Sequence, residues 1–259
     1  MSKTPQQIAL MAESGRLLAS VFGYLDRLDL LGMSTLQVND LVDNYIVGEL
    51  KARPASKGQY GFAYAMNTSR NEVVCHGVPS ADDILRDGDL VNFDITLEKN
   101  GYIADSSKTY LIGKVSDQAR QLAEVTYEAM CKGIETVKPG ARLGDIGHAI
   151  ERHARAHRYS VVREYCGHGI GREMHEPPEV LHWGKAGTGL TLREGMTFTI
   201  EPMLNRGTAD VRTLRDGWTV VTRDGQLSAQ FEHTVAVTRE GVRVLTLRPE
   251  ELHLSRISA

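Results

Sequence analysis

A chain of 259 residues with 41% hydrophobic side chains has enough apolar material for one large domain or two small ones. Its formal charge of -3 and its pI near 6.3 exclude the basic stripe of a dedicated nucleic-acid binder. No apolar run approaches the ~20 residues of a membrane span, and the first five residues carry no hydrophobic leader. Cys75, Cys131 and Cys166 are odd in number and form no CxxC pair, so a reducing cytoplasm is expected.

Residues 4–31 predict an amphipathic helix. Thr4 suits the N-cap, Pro5 the first helical position, and Gln7 completes a capping box. Ser34, with Gln37 three residues on, starts a second helix to about Leu50. The period then changes to two. Strands are expected at about 60–68, 71–76, 89–98 and 102–112, with Asn100-Gly101 as a hairpin turn. Ser116 opens a third helix to about Val137, and a fourth runs from Leu143 to His157. Strands return at about 160–166, 196–203, 218–222 and 230–238.

The order therefore repeats, and so do residues. Leu85-Arg86-Asp87-Gly88 through Asp94 matches Leu192-Arg193-Glu194-Gly195 through Glu201 at a spacing of 107, as Leu36 matches Leu143. The reading is one α+β domain of two half-repeats, about 4–115 and 116–250. Its pseudo-twofold axis has antiparallel sheets around the centre and helices outside.

Each half ends strands in acids. Across a two-residue turn Lys99 pairs with Tyr102, Thr96 with Asp105 and Asp94 with Ser107. Asp94 and Asp105 then share the polar face, while Val91, Phe93, Ile95 and Leu97 face the core. In the second half Glu201 and Glu232 are the inward acids. Four clustered carboxylates repel one another unless cations compensate them, and two divalent ions carry the needed charge. His168, set between Gly167 and Gly169, adds an imidazole, which favours Mn, Fe(II), Co or Zn over magnesium. His76-x-x-Pro79 and His175-x-x-Pro178 echo each other beside the acids. His148, His153, His157, His182 and His253 have no such context, and His153 with His157 reads as helix surface.

Asn71 to Gly77, Asp94, Asp105 to Lys108, Cys166 to Gly171 and Phe231 to Thr234 together resemble type I methionine aminopeptidases over residues 5–250. The resemblance implies the pita-bread (creatinase/aminopeptidase) fold. It implies Asp94, Asp105, His168, Glu201 and Glu232 as ligands of two divalent ions, with Asp105 and Glu232 bridging. A bridging water would attack the first peptide bond, the ions would hold the free amine, and Glu201 would shuttle the proton. His76 and His175 would contact the peptide group. The expected activity is removal of initiator methionine from nascent proteins with a small second residue. The partners are then the peptide N-terminus and, as a candidate, the ribosome, with no membrane and no specific nucleic acid. The enzyme would be a cytoplasmic monomer. Tyr60, Phe62, Met174 and Trp218 would line the methionine slot. Gln59 and Asn67 depart from the family's pocket, which bears on strict methionine preference. An Xaa-Pro peptidase of this fold would carry an N-terminal domain, for which residues 1–30 supply one helix. A non-catalytic relative would lose ligands, and all five are present.

Overall fold

The computed structural model describes residues 2–258. Helix α1 spans Pro5–Leu25 and α2 spans Thr35–Asn44, each started by the expected reciprocal cap, Thr4 with Gln7 and Ser34 with Gln37. Helix α3 spans Asp117–Glu135 and α4 spans Leu143–Ala156. Helix α1 stops six residues before the expected end. Asp26, its C-cap, accepts from Lys108 Nζ at 2.8 Å and the Tyr110 hydroxyl at 2.9 Å. Helix α2 gives way to a π turn at Tyr45–Glu49. By length and composition α1 could cross a membrane, contrary to the sequence expectation. Here its Leu18, Val21, Phe22 and Leu25 pack instead on Val91, Phe93, Ile95 and Leu97.

A nine-stranded sheet runs through both halves, and every pairing in it is antiparallel. From the first half come Arg53–Pro54, Met66–Arg70, Leu90–Lys99 and Tyr102–Leu111. From the second come Gly167–Gly169, Glu176–Val180, Thr197–Ile200, Glu232–Val237 and Val242–Val244. The halves join where Glu232 pairs with Ser107 and His233 with Ser106. Two three-stranded sheets flank it.

The long hairpin has the expected register, with Lys99 opposite Tyr102, Thr96 opposite Asp105 and Asp94 opposite Ser107. Asn100 and Gly101 both hold positive φ, as a tight turn of this kind demands. Phe198, Ile200, Phe231, Val235 and Val237 join a second core with the apolar faces of α3 and α4. Strand expectations were too long elsewhere. Residues 60–65 form a short 3-10 turn and loop, and 160–166 keeps only Ser160–Val161 in a strand. The strands Gly167–Gly169, Glu176–Val180, Val211–Thr213, Ser228–Gln230 and Val242–Val244 are short and glycine- or proline-marked or lie between polar turns, so no period announces them.

Candidate active site

The four acids lie across the middle of the sheet, two on each side of the join. Asp94 and Asp105 sit diagonally on one face of the hairpin. Glu232 follows on the next strand, level with Ser107, which is itself opposite Asp94. Glu201 lies one residue past Thr197–Ile200, whose Ile200 is opposite His233.

His168 completes the group. Its Nδ1 lies 3.1 Å from the Gly169 carbonyl oxygen, which can only accept, so Nδ1 carries the proton. Its Nε2 therefore turns a lone pair toward Glu201 Oε1 at 3.5 Å and Asp105 Oδ2 at 3.8 Å. The glycines around it are required by close approach. A Cβ at Gly167 would fall 2.4 Å from the Thr199 carbonyl oxygen, and one at Gly169 2.3 Å from that of Pro177.

The electrostatics ask for cations. Burial and mutual repulsion push Asp105 and Glu232 well above the ordinary carboxylate range. Burial lifts Glu201 to about 8 and Asp94 to about 6. Asp105 Oδ1 and Glu232 Oε1 are buried with no hydrogen-bond partner. Lone pairs converging on one spot without protons between them are stable only around positive charge. Ligand atoms of Asp105, His168 and Glu232 lie within 4.8 Å of one another, as binding one ion requires. The oxygen and imidazole donors suit a divalent transition metal.

One cavity of about 600 Å³ brings together all the residues singled out from the sequence. It is lined by Tyr60, Phe62, His76, Asp94, Asp105, His168, Met174, His175, Glu201, Trp218 and Glu232, and also by Gln59 and Asn67. Phe62 is buried edge-on to Trp218 at 5.0 Å, with Met174 also buried. Tyr60 is 72% exposed, and its hydroxyl lies 3.2 Å from His175 Nδ1. The His175 ring stands 4.3 Å from that of His168. His76 holds a positive φ of 56°, a strained setting for a residue with a Cβ, and meets Tyr165 edge-on at 5.4 Å. Burial keeps both His76 and His175 below the ordinary imidazole range, hence neutral at pH 7.

Sequence reasoning missed the supports behind the second pair of acids. His182, set aside as lacking context, is fully buried, and its Nε2 accepts the Glu201 N–H at 3.1 Å. Thr199 Oγ1 donates to Glu201 Oε1 at 2.7 Å and accepts the His168 N–H at 3.0 Å. Behind Glu232 sits Arg248, 1% exposed, donating to Ser106 Oγ at 3.1 Å, the Ser107 carbonyl at 3.3 Å and Glu251 Oε1 at 2.7 Å. Ser106 Oγ in turn donates to the Glu232 carbonyl at 2.7 Å. Only the Glu201–Thr199 pair had a sequence signal, its i, i+2 spacing on one strand face. His153 and His157 lie at the helix surface, as read, with Glu128 Oε2 2.9 Å from His153 Nε2.

Residues 9–239 match the model of metallopeptidase family M24. The chain belongs to metallopeptidase family M24. Its relatives include methionine aminopeptidase B of Synechocystis sp., 50% identical over 93% of this chain and 90% of that one. The methionine aminopeptidase of Escherichia coli is 45% identical over 96% of this chain and 94% of its own. Among solved structures, the methionine aminopeptidase of Rickettsia prowazekii superimposes with a TM-score of 0.93 at 47% identity, covering 95% of this chain and 99% of that one. The α+β arrangement is thus the pita-bread fold, and the protein is a metal-dependent peptide hydrolase.

Proposed function

We propose that this chain is a methionyl aminopeptidase that removes the initiator methionine from nascent proteins with a small second residue. The observation that carries this reading is a single cavity lined at once by five metal-ligand side chains and by the apolar Phe62, Met174 and Trp218. Asp94, Asp105, His168, Glu201 and Glu232 would hold two divalent ions. The free oxygens on Asp105 and Glu232 support those two as the shared ligands. Mn, Fe(II), Co and Zn all suit the donor set. When bound, such ions supply Lewis-acid polarisation of a carbonyl and acidify water.

The protein's own groups do the rest. Glu201, held by Thr199 and His182, carries a proton between the attacking water and the departing amine. His175 and His76, both neutral, hydrogen-bond the peptide group as charge develops on it. Tyr60 orients His175 through its Nδ1. The methionine side chain packs against Phe62, Met174 and Trp218. Asn67 stands directly opposite Asp94 in the strand pairing, so a polar group borders this slot near the ligands.

The whole chain reads as one catalytic domain of two half-repeats, about 4–115 and 116–250. The sheet that runs through both supports this. A nascent-chain substrate supports a cytoplasmic enzyme with the ribosome as a candidate partner, and we read the enzyme as a monomer. Hydrolysis of Met-Ala-Ser, N-acetyl-Met-Ala-Ser, Leu-Ala-Ser and Ala-Pro-Ala tests the reading. Rapid release of methionine from the first alone is expected. Faster cleavage of Ala-Pro-Ala would replace it with an Xaa-Pro specificity, and equal rates on the acetylated peptide would remove the aminopeptidase reading altogether.

A further inference from the structure

We propose that Glu128, His153 and His157 form a second divalent-cation site, for zinc, at the exposed seam between α3 and α4. His153 lies in the last turn of α4 and His157 is its C-cap residue, so the i, i+4 spacing brings the two rings together on one side, tilted by 46°. Their centroids are 4.6 Å apart. Glu128 reaches across from α3, its Oε2 lying 2.9 Å from His153 Nε2. One ligand atom from each of the three lies within 4.8 Å of the others.

The orientation of His157 points to a ligand rather than to a bare ion pair. Its Nδ1 is 3.0 Å from the His153 carbonyl oxygen. A carbonyl only accepts, so Nδ1 holds the proton and Nε2 keeps a lone pair. Ligand imidazoles are commonly fixed by such a bond from the other ring nitrogen. The same bond caps the open His153 carbonyl at the end of α4 and fixes the His157 ring beside the Glu128–His153 pair, with Nε2 left to accept an ion. Two imidazoles and a carboxylate are a zinc donor set with a fourth position left for water. The side chain of His153 is only 17% exposed and is wedged between the helices, so the site is partly formed before any ion binds. An ion there would tie α3 to α4 over the second core. No residue is shared with the cavity.

The test uses the full-length enzyme, stripped of metal and dialysed at neutral pH against roughly 100 µM free zinc, enough to fill about nine-tenths of a site whose Kd is about 10 µM. Wild type should retain one more zinc per chain than His157→Ala, while hydrolysis of Met-Ala-Ser by the two, once loaded, stays equal. Glu128→Gln, on an exposed face of α3, should weaken the same zinc at least tenfold. Equal zinc content in wild type and variants overturns the site. So does a difference seen only near about 1 mM zinc, which marks an adventitious ion. Loss of activity in step with the zinc would assign the missing ion to the catalytic centre instead.

Discussion

The two halves hold their acids in different ways. Asp94 and Asp105 stand on one ten-plus-ten-residue hairpin whose ladder is unbroken from Leu90–Leu111 to Lys99–Tyr102. Backbone pairing alone sets their face and separation. Glu201 and Glu232 stand on strands of four and six residues, with Glu201 beyond the end of its own. There side chains add to the pairing: His182 and Thr199 hold Glu201, and the Arg248, Ser106 and Glu251 network backs Glu232, which is itself paired with Ser107. The lesson is that a repeated motif can supply equivalent ligands held in different ways, Asp94 inside a long ladder and Glu201 beyond the end of a short one. The second copy depends on residues outside the matched Leu-Arg-acid-Gly stretch, including Glu251 in the 3-10 segment at Pro249–Ser258.

The comparison can be tested where it predicts the greatest loss. Glu201→Gln should lower kcat for Met-Ala-Ser roughly 1,000-fold, within the range for losing a general acid–base group. Far-UV circular dichroism should remain that of the parent. Unchanged turnover would end the proton-carrying role. Arg248→Met should cost about 3 kcal/mol in urea unfolding, because it strands the buried Glu251 carboxylate without its cation. A loss near zero would show that the network behind Glu232 is ornamental. His182→Leu should lower kcat/KM between about 10- and 100-fold, the usual cost of removing a group that orients a ligand. His182→Asn, which retains an acceptor for the Glu201 N–H, should recover part of it. Equal rates in all three proteins would deny that Glu201 needs this support.

The smallest effect is a pH dependence. Burial raises the Glu251 pKa, but the charges and hydrogen bonds of His233 and Arg248 outweigh it and hold the carboxyl well below its ordinary 4.5. A depressed carboxylate stabilises the fold above its unfolded pKa and loses that contribution as pH falls toward its folded one. Glu251→Gln should thus be less stable than wild type at pH 7, and the gap in Tm should shrink below about pH 4.5. A gap that widened in acid would reverse the sign and refute the ion pairing.

This difference between halves also decided what could be read from the sequence. The hairpin was legible because strict alternation through Val91, Phe93, Ile95 and Leu97, plus an Asn-Gly turn, fixes both face and register. The duplicated Leu-Arg-acid-Gly stretch pointed to Glu201 as the partner of Asp94. The short strands at 167–169 and 176–180 were not legible, since glycine and proline there serve close backbone approach rather than a hydrophobic period. His182 and Arg248 were invisible for another reason. Their role depends on contacts with residues 19 and more than 140 positions away, respectively, and nothing in their own neighbourhood announces it.

The most direct test of the account is a metal titration of the stripped enzyme, following release of methionine from Met-Ala-Ser as Mn, Fe(II), Co or Zn is restored. Hydrolysis should be absent without metal, return on reconstitution, and stay absent when Asp105→Asn and Glu232→Gln are combined. A stripped enzyme that cleaves at the full rate, or a double variant that does, would contradict the claim that acids from both halves meet around shared cations.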